Sequence, residues 1–284
     1  MQRSFKTNRA KVCLNRRMVT LDSGEFLGKV RHSTSIAEAI LSLVCHPKPR
    51  ELPLHQHNLP YFCFLVSGKY KETYGNTTIE YEPFSIALHP ERYAHTDAIV
   101  QPQTTFFTIE LGDRWSGGLG QPFDFSKWRL ELQYGDAVWL AVRLLRAVLD
   151  ETVDSLLVEA CISEMLAIAL RMLEHDRAVR PWLANVKTEL HERFAEKITL
   201  DELARNAGLH IASLARGFRL AEGVTIGDYV QRLRVQHACR LLSQRTTTLA
   251  EIAQECNFSD QSHLTRIFKG ITGTTPADLR TELE

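Results

Sequence analysis

Arg216 and Arg266 hold matching positions in a segment that is repeated near the end of this 284-residue chain. A guanidinium group can pair with guanine through two hydrogen bonds in the major groove of DNA, and a glutamine such as Gln261 can pair with adenine in the same way. These side chains on an exposed helix face could therefore read base pairs. Two copies of such a helix in one chain predict two DNA-reading units.

The repeated segment has the layout of two short helices joined by a turn. Each copy opens with a threonine followed three residues later by a glutamate, Thr199 in the first copy and Thr248 in the second. This pattern predicts a capping box at the start of a helix. The turn contains Gly208 in one copy and Asn257 in the other, and both residues tolerate a left-handed backbone. The layout is that of a helix-turn-helix, whose second helix enters the major groove.

Helical periodicity separates buried from exposed positions on each second helix. We expect Leu214 and Phe218 to face the core in the first copy, and Leu264 and Phe268 in the second. The opposite faces then carry small, polar and basic side chains. The residues predicted to contact DNA are Ala212, Ala215, Arg216, Arg219, Gln261, Ser262, Thr265, Arg266 and Lys269. Of these, Arg219 and Lys269 are better placed for phosphate than for bases.

A single long helix is predicted between the two units, over residues 226–244. At 1.5 Å per residue it would be about 28 Å long. Major-groove segments one turn apart on one side of a duplex are separated by roughly 34 Å. One chain could therefore place both units on the same side of one DNA molecule.

The charge balance weakens the DNA-binding interpretation. Lys plus Arg and Asp plus Glu both number 34, so the formal net charge is zero. Nucleic-acid binders are usually basic. DNA binding here would require acidic side chains such as Glu189, Glu192, Glu196 and Glu255 to be turned away from the reading faces. A helical module that binds proteins rather than DNA therefore remains an alternative.

The N-terminal half has the pattern of a β-rich domain, from about residue 26 to residue 110. Short apolar runs alternate with turns, and Gly75-Asn76 between two runs predicts a hairpin. Such a series is typical of a sandwich or small barrel. Two helices with wide apolar faces follow, and they either pack on this domain or form a homodimer interface.

The chain is therefore predicted to be an α+β protein of two domains. A basic N-terminal arm is expected over 1–25, a ligand-sensing and dimerisation domain over 26–176, a linker over 177–182, and an all-α DNA-binding domain over 183–284. The six cysteines show no metal-finger spacing, and no apolar run is long enough to span a bilayer. These features favour a cytoplasmic protein that does not contact a membrane.

The C-terminal segment resembles the signature of the AraC/XylS family of transcription regulators. The resemblance lies in residues 252–269, IAQECNFSDQSHLTRIFK, and in Gly273-Thr274-Thr275-Pro276 after them. It covers about the last 100 residues, with Asn257, Leu264 and Leu279 as departures from the family's usual Gly, Phe and aromatic residue. The resemblance implies base-reading positions at Ala212, Ala215, Arg216, Gln261, Ser262, Thr265 and Arg266. With alanine at two positions, the first unit is expected to discriminate less between sequences.

His55-Gln56-His57, with His95 on a later strand, is similar to the cupin-like sensory domain common in that family. The resemblance implies a barrel that binds a small molecule. The expected lining residues are His55, His57, Tyr61, Phe64, His89, Tyr93 and His95.

These histidines could instead hold a metal, since two imidazoles on one side of a strand and His95 could form a triad. Cupin metal sites usually add a glutamate a few residues after the HxH motif, but Tyr61 stands there in this chain. The sequence therefore favours histidines that line a ligand pocket, and no metal or other cofactor is predicted. A triad of His55, His57 and His95 stays open as the alternative.

Together these features predict a transcription regulator without enzymatic activity that binds double-stranded promoter DNA and is controlled by a small-molecule effector. A second copy of the chain in a homodimer is an expected partner, and RNA polymerase is a candidate partner. The rival interpretations are a metal-dependent cupin enzyme with a helical accessory domain and the protein-interaction module noted above.

Overall fold

Short strands make up the N-terminal half of the computed structural model, which describes residues 18–117, 130–131, 136–176, 181–243 and 247–282. Within these ranges the strands are β1 (Val19–Leu21), β2 (Lys29–Ile36), β3 (Ala39–His46), β4 (Arg50–Glu51), β5 (His55–His57), β6 (Tyr61–Ser67), β7 (Tyr70–Tyr74), β8 (Thr77–Tyr81), β9 (Ile86–His89), β10 (Thr96–Ile99), β11 (Thr104–Leu111) and β12 (Leu130–Glu131). The predicted β-rich half is confirmed.

The described strands are divided among three sheets. The largest has six strands in the order β12-β9-β6-β11-β3-β2, and a four-stranded sheet has the order β4-β10-β7-β8. Strands β1 and β5 form a parallel pair. In the described part of the chain the strands therefore form separate sheets rather than one closed barrel.

Helices follow the strands and fill the C-terminal half, as predicted. They are α1 (Asp113–Gly117), α2 (Asp136–Leu149), α3 (Ser155–Asp176), α4 (Pro181–Arg193), α5 (Leu200–Asn206), α6 (Ile211–Glu222), α7 (Ile226–Ser243), α8 (Leu249–Glu255), α9 (Gln261–Thr272) and α10 (Pro276–Glu282). None of the described helices is both long enough and apolar enough to cross a bilayer.

Strand β6 separates two layers of the β-rich half, because successive side chains of a strand point to opposite faces. Tyr61 and Cys63 face a small internal cavity. Phe62 and Phe64 face the opposite way, into a core shared with α2 and α3. The apolar faces of α2 and α3 thus pack on the sheet, and the homodimer interface stays a prediction.

Helix α7 joins the cores of the two helix-turn-helix units. Tyr229 and Leu233, in its first half, are buried in the core of the first unit. Ala238 and Leu242, in its second half, are buried in the core that includes the second unit. Its 18 residues correspond to about 27 Å. Because both ends are packed, α7 holds the two units at a fixed separation.

The same helix is docked on the β-rich half. The Gln236 side-chain amide donates to the carbonyl oxygen of Phe84, and Arg240 Nε donates to the carbonyl oxygen of Pro83 at 3.0 Å. Arg232 forms an ion pair with Asp136 at the start of α2. The core that contains α2 also contains residues of α7, α8 and α9. The two halves therefore share one continuous apolar core.

Some local expectations differ from the structure or lie outside the described residues. The Gly-rich segment 112–121 predicts a loop, but residues 113–117 form α1, which is held by a hydrogen bond from Trp115 Nε1 to the carbonyl oxygen of Ala37 at 3.0 Å. Helix α4 begins at Pro181, inside the predicted linker. Residues 177–180 of that linker and 1–17 of the predicted arm lie outside the described residues, so the domain limits remain predictions.

Candidate functional site

The two helix-turn-helix units begin with different versions of the same cap. At α8, Thr248 Oγ1 accepts from the backbone N–H of Glu251, and the Glu251 carboxylate accepts from the backbone N–H of Thr248 at 2.8 Å, which completes the predicted capping box. At α5, Thr199 Oγ1 accepts from Glu202 N–H at 3.3 Å. The expected return bond is replaced, because the Glu202 carboxylate pairs with Arg193 at 2.8 Å.

The turns within the units are left-handed, as the residue types predicted. Gly208 has a φ of +66° and Asn257 a φ of +55°. Both turns send the chain from the short first helix into a second helix of twelve residues. The two second helices also end alike, at Gly223 and Gly273, whose φ angles are +75° and +77°. The duplicated sequence thus gives a duplicated structure.

The N-terminus of each second helix is capped by a side chain. Asp260 Oδ1 accepts from the backbone N–H of His263 at 2.7 Å, and this hydrogen bond lowers the pKa of the Asp260 carboxyl group. At α6 the cap is His210, whose Nδ1 accepts from the backbone N–H of Ala212 at 3.3 Å. A carboxylate at a helix N-terminus is favoured by the helix dipole. Asp260 therefore caps the start of α9, and its negative charge lies at the end of the helix rather than at the centre of the predicted DNA-contacting face.

Burial on α6 and α9 follows the predicted periodicity. Leu214 and Phe218 on α6 and Leu264 and Phe268 on α9 are each 0% exposed. On the opposite faces Ala215 and Thr265 are half-buried. The exposed members of the predicted DNA-contacting set are Ala212, Arg216, Arg219, Gln261, Ser262, Arg266 and Lys269.

Several acidic side chains of α4, α5 and the segment between them form ion pairs with arginines outside the predicted DNA-contacting set. Arg193 forms three ion pairs at 2.7–2.8 Å, with Glu189, Glu196 and Glu202. Arg205 on α5 pairs with Asp201 at 3.1 Å. Within the described part of the chain, no ion pair involves Arg216, Arg219, Arg266 or Lys269. The four cations on the predicted reading faces are therefore not neutralised by an ion pair among the described residues, although the net charge of the chain is zero.

Thr265 is fixed by its own helix. Its hydroxyl donates to the backbone carbonyl oxygen of Gln261 at 2.9 Å. Because the hydroxyl proton is engaged, Thr265 offers a ligand its methyl group and an acceptor oxygen. A methyl group at this position suits contact with the methyl group of thymine.

A second candidate site is the internal cavity of the β-rich half, which has a volume of about 50 Å³. Five of the seven predicted ligand-binding residues line it, His55, His57, Tyr61, His89 and His95. The imidazole ring of His55 lies 4.3 Å from that of His95, and the Tyr61 ring stacks on His89 at 4.7 Å. Distant parts of the sequence thus converge on one cavity.

The other two predicted residues, Phe64 and Tyr93, do not line this cavity, and a role for them in ligand binding stays a prediction. Phe64 is on the opposite face of β6 from Tyr61, because the two residues are an odd number of positions apart on one strand. Tyr93 is half-buried outside the cavity lining, and its ring stacks on Tyr74 at 4.2 Å.

Three polar residues that line the cavity were not predicted from the sequence: His46, Glu72 and Asp97. Glu72 Oε2 lies 2.8 Å from His89 Nε2, and both side chains are 1% exposed. Asp97 follows His95 by two residues, so both side chains point to one face of the sheet, as His55 and His57 do. This His-x-Asp spacing on a strand is the signal that could have identified Asp97.

The cavity disfavours positive charge on its histidines. Burial lowers the pKa of His57 to about 2, with a further contribution from His55. Burial and the neighbouring Arg50 lower the pKa of His46 to about 4. Burial also lowers the pKa of His55. These three imidazoles are therefore neutral at physiological pH and offer one lone pair each.

The C-terminal part of the chain is similar to known transcription factors. A helix-turn-helix domain model matches residues 203–282. The chain is 33% identical over 105 residues to the probable transcription factor PqrA of Proteus vulgaris, a match that covers 37% of this chain and 84% of PqrA. It is 32% identical over 91 residues to the transcriptional activator RhaS of Escherichia coli O139:H28, covering 32% of this chain but only 33% of RhaS.

Among solved structures, the chain is similar to an AraC-type DNA-binding-domain regulator from Chromobacterium violaceum. The match is 24% identical and covers 37% of this chain and 93% of that chain. The TM-score is 0.35, which is too low to establish a shared overall fold.

Proposed function

We propose that this chain, which belongs to the AraC/XylS family of transcription regulators, reads promoter DNA with α6 and α9 as two linked heads. The observation that carries the proposal is the pair of equivalent exposed helix faces, with Arg216 on one and Arg266 on the other, joined by the packed helix α7. We further propose that a small effector bound in the β-rich half controls this binding.

The side chains on the two heads differ in how many base-specific hydrogen bonds they can form. On α9, Gln261 and Arg266 can each form two hydrogen bonds with a purine, and Thr265 can contact thymine. On α6, only Arg216 has this capacity, because Ala212 and Ala215 offer small apolar contacts. We expect the second head to contribute most of the sequence preference and the first to add affinity.

Phosphate contacts are assigned to the cations at the later turns of the helices. Arg219 and Lys269 are exposed and lie three residues after Arg216 and Arg266. Phosphate contacts position a protein on the duplex, whereas base contacts specify the sequence. Both kinds of contact are therefore available on each head.

The docked position of α7 supports a route from the β-rich half to the heads. A ligand can shift the protein between two states only if it binds them with different affinity. Hydrogen bonds from Gln236 and Arg240 end on the carbonyl oxygens of Phe84 and Pro83, in the turn before β9. Strand β9 ends at His89, which lines the cavity. If a ligand moves this turn, the position of α7 on the β-rich half would therefore change.

The proposal is tested by selecting DNA sequences that the full chain retains and measuring affinity for the best of them. Arg266→Ala should weaken binding by about 1–3 kcal/mol, roughly 5- to 150-fold, and relax the preference at one base pair. Arg216→Ala should also weaken binding, with a second position affected. Unchanged affinity and preference in Arg266→Ala would contradict the assignment of α9 as a reading helix.

Arg205→Ala is the matched control, because Arg205 is also an exposed helical arginine but pairs with Asp201. It should bind the selected DNA as the wild type does. Lys269→Ala should weaken binding to all sequences alike and lower the slope of log affinity against log salt by about one. A protein-interaction module would show neither sequence selection nor this salt dependence.

A further inference from the structure

We propose that His55, His95 and Asp97 form a binding site for a divalent first-row transition metal in the cavity of the β-rich half. The ligand atoms of these three residues all lie within 4.8 Å of one another. This set differs from the triad that the sequence left open, because Asp97 replaces His57. Metal binding itself does not depend on DNA; only an effect of the metal on DNA binding would rest on the proposed function.

The separations of the ligand atoms suit a shared metal ion. His55 Nε2 lies 3.7 Å and His95 Nε2 lies 3.8 Å from Asp97 Oδ2. These distances are too long for hydrogen bonds. Two ligands bound to zinc at about 2.0–2.2 Å in a tetrahedral arrangement are about 3.3–3.6 Å apart. A contraction of a few tenths of an ångström would bring each imidazole to this separation from Asp97, and the ligand atoms of the two histidines lie within 4.8 Å of each other.

The tautomer of both histidines is set by the backbone. His55 Nδ1 lies 2.9 Å from the carbonyl oxygen of Pro53, and His95 Nδ1 lies 2.9 Å from the carbonyl oxygen of Tyr93. A carbonyl oxygen can only accept, so each Nδ1 carries the proton. The Nε2 lone pair of each ring then faces Asp97. Metal-binding histidines are oriented in this way by a hydrogen bond from the other ring nitrogen.

The backbone holds the ligands together before any ion binds. His55 and His95 are paired across an antiparallel bridge, with N–H to O distances of 2.9 Å in both directions. The carbonyl oxygen of Asp97 accepts from Leu52 N–H at 2.7 Å. The residues His55 and His95 are 3% and 2% exposed. A rigid and buried arrangement lowers the entropic cost of ordering ligands around an ion.

The size of the cavity favours an ion over a large organic effector. A volume of about 50 Å³ is several times the roughly 10–15 Å³ that holds one water molecule. It is far below the 300–1,000 Å³ or so of pockets for drug-sized ligands. The three protein ligands would leave one coordination position for water or a small anion. His57 and His89 also line the cavity, and each has a buried Nδ1 that could bond such a ligand.

The chemistry of the ligand set defines the class of metal. Two imidazoles and one carboxylate suit zinc, cobalt, nickel or ferrous iron, whereas magnesium and calcium prefer oxygen ligands alone. We therefore expect binding of Zn²⁺ and Co²⁺ and no competition by Mg²⁺ at millimolar concentration.

The test uses the untagged full chain after treatment with a chelator. Titration with Co²⁺, followed by visible absorption, should give one bound ion per chain, displaced by Zn²⁺ but not by Mg²⁺. Asp97→Asn and His95→Gln should each weaken binding by at least about tenfold. His32→Gln is the matched control, since His32 lies on β2 of the same β-rich half but does not line the cavity, and it should keep wild-type affinity. Absence of stoichiometric binding, or unchanged affinity in Asp97→Asn, would overturn the proposal.

A variant could also lose metal affinity because it fails to fold. A measurement on the wild-type protein therefore tests the ligand set without any variant. X-ray absorption of the zinc complex should show two imidazole ligands with oxygen in the remaining positions, and a different number of imidazoles would overturn the ligand set. Selection of DNA by the same preparation is scored separately. Metal binding without DNA selection would contradict only the proposed function. DNA selection without metal binding would contradict only the metal site.

Discussion

The side-chain amide of Gln236, in the middle of α7, donates a hydrogen bond to the backbone carbonyl oxygen of Phe84, in the turn between β8 and β9. Gln236 is 2% exposed and Phe84 is 1% exposed. Phe84 also has a φ of +61°, in the left-handed region that residues with a side chain seldom adopt. The helix between the two heads is thus anchored to a turn whose backbone is held in an unusual conformation.

Replacing the anchor should destabilise the protein. Gln236→Leu keeps the approximate size of the side chain but leaves the carbonyl oxygen of Phe84 without this donor. We expect the free energy of unfolding in urea to fall by about 1–3 kcal/mol. Gln254→Leu on α8 is the control, because Gln254 is exposed and should change stability by less than about 0.5 kcal/mol. Equal stability of the two variants would show that the hydrogen bond does not hold α7.

The two caps provide a matched comparison within the repeat. Thr248 takes part in a complete capping box, whereas Thr199 only accepts from Glu202 N–H. Thr248→Ala should therefore lower the free energy of unfolding by about 1–2 kcal/mol, and Thr199→Ala by about 0.5–1 kcal/mol. Thermal unfolding followed by circular dichroism measures both. A larger loss in Thr199→Ala would contradict the difference between the caps.

Two glycines should respond to alanine with opposite signs. A Cβ at Gly208 or Gly270 would meet no atom within 4 Å, so neither substitution causes a clash. Gly208 has a φ of +66°, where alanine is strained by about 1–2 kcal/mol. Gly270 lies within α9, where alanine is favoured by roughly 0.5–1 kcal/mol. Urea unfolding should show that Gly208→Ala is destabilised and that Gly270→Ala is stabilised, and a shared sign would refute the backbone explanation.

Glu110 should make stability depend on pH near neutrality. Burial raises the pKa of its carboxyl group from 4.5 to about 7, although Gly24 N–H donates to it at 2.8 Å. The folded protein thus holds this proton more tightly than the unfolded chain does. This proton contributes up to about 3 kcal/mol to the free energy of unfolding. The contribution is complete below pH 4.5 and is lost as the pH rises through 7.

Glu110→Gln should remove this dependence, because a neutral amide keeps an acceptor for Gly24 N–H. The variant should match the wild type at pH 5 and be more stable at pH 8 by about 1–3 kcal/mol, measured by urea unfolding. Glu91→Gln is the control, because Glu91 is exposed and its replacement shows how stability changes when a glutamate outside the core is neutralised. If Glu110→Gln is no more stable than the wild type at pH 8, ionisation of the buried Glu110 carboxyl group does not destabilise the folded protein, and the explanation is wrong.

The parts of the fold that follow from local sequence were predicted well. Gly75-Asn76 gave the β7–β8 hairpin with Tyr74 opposite Thr77, and the turns at Gly208 and Asn257 are left-handed as expected. These features depend on residues close in sequence. The first capping box was only partly predicted, since Arg193, which captures Glu202, lies on another helix.

The cavity was harder to predict because it is assembled from distant strands. His55 and His95 are 40 positions apart and meet through a single antiparallel bridge. The His-x-Asp spacing puts Asp97 on the same face as His95, but it does not indicate that this face meets His55. The family resemblance implied Phe64 as a lining residue, whereas strand alternation places its side chain against α2 and α3.

The central claim is that the two heads occupy successive grooves at a separation set by α7. It is tested most directly with a selected DNA site for one chain into which five base pairs are inserted between the segments contacted by α6 and α9. Five base pairs turn the second segment to the opposite side of the duplex, so affinity should fall at least about tenfold, to the level of a site with one segment scrambled. Affinity unchanged by the insertion would contradict the account.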